Sequence, residues 1–145
     1  MVREAVEGDL PGLLELYLHL HEDRVPELTG AVSEAWKKIM ADEDHHVIVD
    51  EVDGRLVSSC VCVVVPNLTR NARPYALVEN VVTHADYRRQ GRASACLDAA
   101  RRIARDAGCY KMMLMTGSKS PRTLDFYRKC GYNDRDKTAF VQWLI

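Results

Sequence analysis

Three arginines fall within five residues at Arg88, Arg89 and Arg92, with Gln90 and Gly91 between them and Ala93 and Ser94 directly after. Guanidinium groups at this density suit a phosphate, since each offers fixed N–H donors along with its charge. A β-branched run ends just upstream near Thr83, and an Ala- and Arg-rich helical run begins at Gly91, so the arginines occupy a strand-to-helix turn. Such a turn leaves several backbone N–H groups without intrahelical partners, all at the positive end of the helix dipole. That is a ready anion site. Gly91 lets the backbone approach a ligand, and Ala93 keeps the approach clear of bulk. The stretch from Tyr87 to Ala93 therefore reads as a pyrophosphate-binding turn for a nucleotide cofactor. A solvated basic loop capping an ordinary helix is the competing reading.

The other reactive side chains carry less. His19 and His21 read as surface residues, and the adjacent pair His45-His46 faces opposite ways and makes no metal site. Cys60 and Cys62 share one strand face and read, with Cys96, as small apolar core residues; Met112, Met113 and Met115 read as core strand. The five cysteines show no C-x-x-C and no metal-type spacing, so free thiols in a reducing, cytoplasmic compartment are expected, with no bound metal.

Composition narrows the classes further. With 145 residues, 47% of them hydrophobic, the chain is large enough for one domain, residues 1–145, that buries a core and a ligand cleft without disulfides. A net charge of −1, from 20 basic and 21 acidic residues, supplies no field toward nucleic acid or an anionic membrane. No signal-peptide pattern stands at the N-terminus. The longest apolar run, Leu56 to Val65, contains two serines and spans about ten residues, half of what a membrane crossing needs. A soluble protein is expected.

The elements that must position the turn follow from periodicity and punctuation. Val2 to Ala5 predicts a short strand, and Asp9 caps a helix whose Leu10, Leu13, Leu14, Tyr17 and Leu18 recur at helical spacing. A loop through Pro26 and Gly30 leads to Ser33, which caps a second helix ending near Ala41. His46 to Glu51 and Arg55 to Val65 flank Asp53-Gly54, the strongest short-range signal for a hairpin. Prolines bound a loop at residues 66–74, and Tyr75 to Thr83 is another strand. Gly91 to Ala107 predicts a helix stopped by Gly108, Lys111 to Thr116 a buried strand, and Ser120-Pro121 opens a helix through Lys129 that Gly131 ends. Phe140 to Leu144 predicts a closing strand. The order is β-α-α-β-β-β-α-β-α-β, a mixed α/β fold with its antiparallel strands first and a crossover in its second half. The basic turn then lies at the carboxyl end of a strand, where open α/β sheets place ligands.

With these motifs in place, the chain resembles the GNAT superfamily of acyl-CoA-dependent N-acetyltransferases over essentially its whole length. The family signature of Arg or Gln, two residues, Gly, one residue, then Gly or Ala reads here Arg88-Arg89-Gln90-Gly91-Arg92-Ala93. Its second signature, an aromatic pair followed by Gly-aromatic, reads Phe126-Tyr127-Arg128-Lys129-Cys130-Gly131-Tyr132. A closer similarity is to eukaryotic-type glucosamine-6-phosphate N-acetyltransferases, carried by Val78-Glu79-Asn80-Val81-Val82, by Gly108 to Lys111 and by Phe126 to Gly131. Where that subfamily has an acidic residue late in the fifth strand this chain has Met115, and where it has an Arg in the final strand this chain has Gln142. The loop Thr116 to Ser120 is also longer.

The resemblance implies a GNAT fold, acetyl-CoA as co-substrate and a small primary amine, an amino sugar among the candidates, as acceptor. It implies Glu79 as general base and Tyr127 as general acid toward the leaving thiolate. Pairing of Glu79 with a nearby Arg or Lys, and a core-covering Tyr127, are the competing structural readings. It also implies cofactor contacts from the backbone near Val81 and Val82, from Arg88 through Ser94, and from Ser120 in place of the Asn of many relatives. His19 and His21 fall where relatives line the acceptor pocket. Subunits are expected to pair as a homodimer through the later strands. Acetylation of protein N-termini or lysines, and a non-catalytic acyl-CoA sensor, remain the alternative functions.

Overall fold

Alternating valines on either side of Asp53-Gly54 set the centre of the sheet. In the computed structural model, which describes residues 1–20, 22–28 and 30–145, β2 (His45–Val52) and β3 (Arg55–Val65) form the expected hairpin. Asp53 and Gly54 both take positive φ, 49° and 77°, as the two-residue turn of this hand requires. His21 lies outside the described residues.

Around the hairpin the sheet runs β1-β2-β3-β4-β5. β1 (Val2–Glu4) and β4 (Tyr75–Thr83) are antiparallel to their neighbours, whereas β5 (Met112–Leu114) is parallel to β4. A parallel neighbour demands a crossover connection, and α4 (Arg92–Asp106) supplies it. Helices α1 (Leu10–Tyr17) and α2 (Ala31–Ala41) precede the hairpin. The single turn α3 (Thr69–Ala72) lies in the proline-bounded connection, and α5 (Pro121–Lys129) follows β5.

Strand alternation divides the apolar residues into two cores. Ile48, Cys60, Cys62, Ala76 and Val78 pack with Cys96, Leu97, Ala100 and Ala104 of α4, and the half-buried Phe126 and Tyr127 of α5 cover this cluster. Val47, Val49, Val61 and Val82 pack on the other face with Leu13 and Leu16 of α1 and Trp36 of α2. Helices thus cover both faces, as the mixed α/β reading expects.

Three expectations need correction. No strand forms at Phe140 to Leu144: that segment lies outside every helix and strand, with Phe140 at 92% and Trp143 at 84% exposure. Aromatic and β-branched residues confer strand propensity, but a strand also needs a neighbour for its N–H and C=O groups, and none among the described residues pairs with this tail. The strand predicted at Lys111 to Thr116 shortens to Met112–Leu114, because β4 offers partners only from Ala76 to Val78. The second helix starts at Ala31, capped by Gly30, and Ser33 instead donates its hydroxyl to the Leu28 carbonyl at 3.1 Å.

Candidate active site

The site is organised by a bulge in β4. Ser59 opposes Val82 while Val61 opposes Glu79, so Cys60 faces both Asn80 and Val81, and Asn80 absorbs the extra residue at φ 51°. The bulge re-aims the strand: Val78 and Val81 turn to the α4 core, whereas Val82 turns to the α1–α2 core. Since β5 reaches only Val78, the stretch from Glu79 to Thr83 keeps an open edge. Every second backbone group there points away from β3 with no β5 neighbour to meet it.

Glu79 and Asn80 stand exposed at the bulge. Among the described residues no Arg or Lys forms a salt bridge with Glu79. Beside them Tyr17 of α1 is pushed up to about 12 by burial, partly offset by the neighbouring Asn80 side chain.

Past the end of β4, a 3₁₀ turn at Ala85–Tyr87 leads into the basic turn. Arg89 and Gly91 take φ of 60° and 76°, and Gly91 caps α4 without any side-chain cap. The first intrahelical bond joins the Ala95 N–H to the Gly91 carbonyl at 3.0 Å, which leaves the N–H groups of Arg92, Ala93 and Ser94 free at the positive end of a 15-residue helix. A Cβ built on Gly91 meets no protein atom within 4 Å, so the space above the turn is open to a ligand. These features fit a pyrophosphate.

The guanidinium groups diverge, however, where the sequence reading gathers all three around the phosphate. Arg89 is exposed, and Gln90 donates to the Asp86 carbonyl at 3.2 Å. Arg88 folds back, donating to the carbonyls of Thr83 at 3.1 Å and His19 at 3.4 Å. Arg92 turns inward and pairs at 3.0 Å with Asp50, a carboxylate only 2% exposed that also holds the N-terminal ammonium at 3.0 Å. The cause is Asp50: a buried charge needs a partner, and Arg92 is within reach. Arg92 keeps its backbone N–H, not its side chain, at the turn.

From the other side α5 brings two further candidates. Ser120 is its exposed N-cap residue, with its hydroxyl free of any capping bond and its carbonyl accepting from Leu124 at 3.1 Å. Tyr127, half-buried, lies tilted on Phe126 at 5.1 Å between centroids and edge-on to Tyr132 at 6.1 Å. Burial raises its pKa above the usual phenol value, so the ring keeps its proton through neutral pH. Ser94 and Cys130 meet at 3.4 Å and tie the start of α4 to the end of α5.

Sequence reasoning missed Asp50, Arg55 and His84, and it placed His19 on the surface. His19 instead lies with its ring 4.1 Å from that of His84, and Arg55 reaches the same ring at 2.8 Å. Local spacing gave no signal, since the partners in each contact lie tens of positions apart, Asp50 from Arg92 and His84 from both Arg55 and His19. Among the described residues no three His, Cys, Asp or Glu side chains gather to hold a metal, and no helix is long and apolar enough to cross a membrane.

Comparison with known proteins adds to this geometry. The family profile described as acetyltransferase (GNAT) family matches residues 10–132. A glucosamine 6-phosphate N-acetyltransferase of Trypanosoma brucei brucei is 33% identical over 138 residues, covering 94% of this chain and 90% of that protein. Among solved structures, a putative acetyltransferase from Agrobacterium tumefaciens str. C58 superposes with a TM-score of 0.90 at 38% identity, covering 99% of both chains. Glucosamine-6-phosphate N-acetyltransferase from Arabidopsis thaliana shares the fold, with a TM-score of 0.86 at 20% identity over 100% of this chain and 98% of its own.

Proposed function

The chain belongs to the acetyltransferase (GNAT) family and is an acetyl-CoA-dependent acyltransferase; on that premise we propose that it acetylates the primary amine of a small molecule, an amino sugar such as glucosamine 6-phosphate, by direct attack in a ternary complex. The observation that carries this reading is the continuity of the site. The open edge of β4 runs from Glu79 to Thr83 and leads to the three free N–H groups of α4. The trypanosomal relative supports an amino-sugar acceptor.

In this reading the N–H groups of Arg92, Ala93 and Ser94 hold the pyrophosphate, with Gly91 leaving room and Arg88, Arg89 and Gln90 shaping the turn. The open edge near Val81 and Val82 takes the pantetheine arm and the thioester oxygen, and Ser120 adds a contact from α5. Glu79 accepts a proton from the acceptor ammonium, directly or through water, so that the neutral nitrogen attacks the thioester carbonyl. As the C–N bond forms and the C–S bond breaks, the Tyr127 phenol protonates the departing thiolate, and the proton shed by the new amide nitrogen restores the phenol through solvent. We read residues 1–145 as one working domain in the cytoplasm, where its five free cysteines persist, paired as a homodimer through the exposed apolar tail.

The test is to mix the protein with acetyl-CoA and a panel of amino sugars, other small amines and peptides while following free thiol. Turnover on glucosamine 6-phosphate or another small amine is expected. Turnover confined to peptides overturns the small-molecule acceptor, and tight acetyl-CoA binding without turnover on any acceptor marks a sensor.

A further inference from the structure

We propose that the corner between α1, the β2–β3 hairpin and the end of β4 is a second anion site, where Arg55 and His84 together bind one phosphate or carboxylate group of a small metabolite. What carries the inference is a buried imidazole facing more donors than it has lone pairs. His84 follows β4 and is 8% exposed. The Arg55 guanidinium approaches its Nε2 at 2.8 Å, and the Asp86 backbone N–H approaches its Nδ1 at 3.2 Å. A guanidinium and an amide only donate, whereas a neutral imidazole has one accepting nitrogen. In either tautomer, therefore, one ring N–H is aimed at another donor. An oxyanion between Arg55 and Nε2 removes the conflict by accepting from both, while Nδ1–H turns to the Asp86 carboxylate, now 3.9 Å away.

The charges around the ring favour the same occupant. From α1 the His19 ring stacks at 4.1 Å, and Arg88 is fastened to the His19 carbonyl. Tyr87 lies edge-on at 5.6 Å. Among the described residues Arg55 has no carboxylate partner. Burial first, then the nearby Arg55, His19 and Arg88, hold His84 below the usual imidazole range, against Asp86 alone.

The corner opens into a cavity of about 330 Å³. On the far side of that cavity Arg3 is shared between Asp9 at 2.7 Å and Glu51 at 2.6 Å, so that end is net negative, and the lining cation without a carboxylate partner among the described residues is Arg55, beside His84. The exposed carboxylate of Glu15 also borders the cavity. The volume is at the lower end of small-molecule sites and suits a hydroxy acid, an amino acid or a phosphoester. It lies apart from Glu79, five residues along the chain from His84 and roughly 15 Å at the rise of a strand, and it adjoins the basic turn through Arg88.

The experiment follows the histidine rings of the full chain by ¹⁵N NMR across pH at constant ionic strength. Coenzyme A is kept in excess to fill the basic turn, and either inorganic phosphate or acetate is titrated. The expected result is a saturable rise of the His84 midpoint by about one unit with at least one anion, with Nε2 becoming an N–H. Arg55→Met abolishes the rise and Arg105→Met, at the exposed far end of α4, keeps it, and whichever anion acts identifies the group. No saturable rise with either anion in the unaltered protein overturns the site by itself. So does an equal rise in Arg55→Met, or a rise lost in Arg105→Met. No turnover is read, so the outcome is independent of the acceptor.

Discussion

Tyr127 presents a phenol whose pKa burial has raised, and that direction determines what pH does to it. A general acid must be protonated, and a raised pKa keeps it so across the neutral and mildly alkaline range, with loss only above about 10. Rate measured against pH is therefore expected to have no alkaline limb below about 10 from this residue. Tyr127→Phe is expected to lower kcat by about 10²-fold while leaving the dissociation constant of acetyl-CoA within about twofold. An unchanged kcat returns Tyr127 to a purely structural role, packing on Phe126 and Tyr132. For Glu79, exposed and without a salt bridge among the described residues, the matching test is Glu79→Gln: a full rate across pH removes it as the base. Arg92 belongs to a different class of residue. Its guanidinium answers a buried carboxylate, so Arg92→Met is expected to act on stability. The N-terminal ammonium remains on Asp50, so the loss should fall below the roughly 3–5 kcal/mol of a fully broken buried pair, at about 2 kcal/mol in urea denaturation. A loss of cofactor affinity without loss of stability would place that guanidinium on the ligand instead.

At the scale of elements, the junction of β4 with α4 makes the separation of fold from binding measurable at one position. Gly91 holds φ 76° with nothing within 4 Å of a Cβ built there, so a side chain costs backbone strain but strikes no protein atom. Gly91→Asn retains a residue type that tolerates this conformation, at a stability cost of under about 1 kcal/mol. Its side chain still occupies the ligand's space, and acetyl-CoA binding by calorimetry is expected to weaken at least about tenfold. Undiminished affinity would sink the turn as the pyrophosphate site. The same junction shows what was legible in the chain. Asp53-Gly54 announced the hairpin because its positive φ values are local requirements, and Gly91 announced the turn for the same reason. The inward turn of Arg92 was not legible, since it depends on Asp50 in a different strand. The bulge left only the trace of a polar Asn80 inside an apolar run. The His19–His84–Arg55 corner left none, because its members meet only once α1, β3 and β4 are assembled.

Across the whole molecule, the tail from Phe140 to Ile145 is the part whose sequence and surroundings disagree. Its aromatic and β-branched residues suit a strand, yet Phe140, Trp143, Leu144 and Ile145 are almost fully exposed. β5 meanwhile ends the sheet with its outer edge unpaired among the described residues. An apolar segment without a neighbour and an edge without a strand complement each other, and a second copy supplies each with what it lacks. At about 25 cal/mol per Å² of apolar surface, covering two such tails contributes several kcal/mol, enough to bias association at micromolar concentration although a stable interface needs further area. The full chain is therefore expected to sediment as a dimer at micromolar concentration, and a chain ending at Lys137 as a monomer with its thermal transition retained. Trp143 offers an independent readout. Trp36 is already buried in the α1–α2 core, so a blue shift of tryptophan emission on raising the concentration reports the tail being covered. A full chain that stays monomeric, with emission independent of concentration, rejects pairing through the tail.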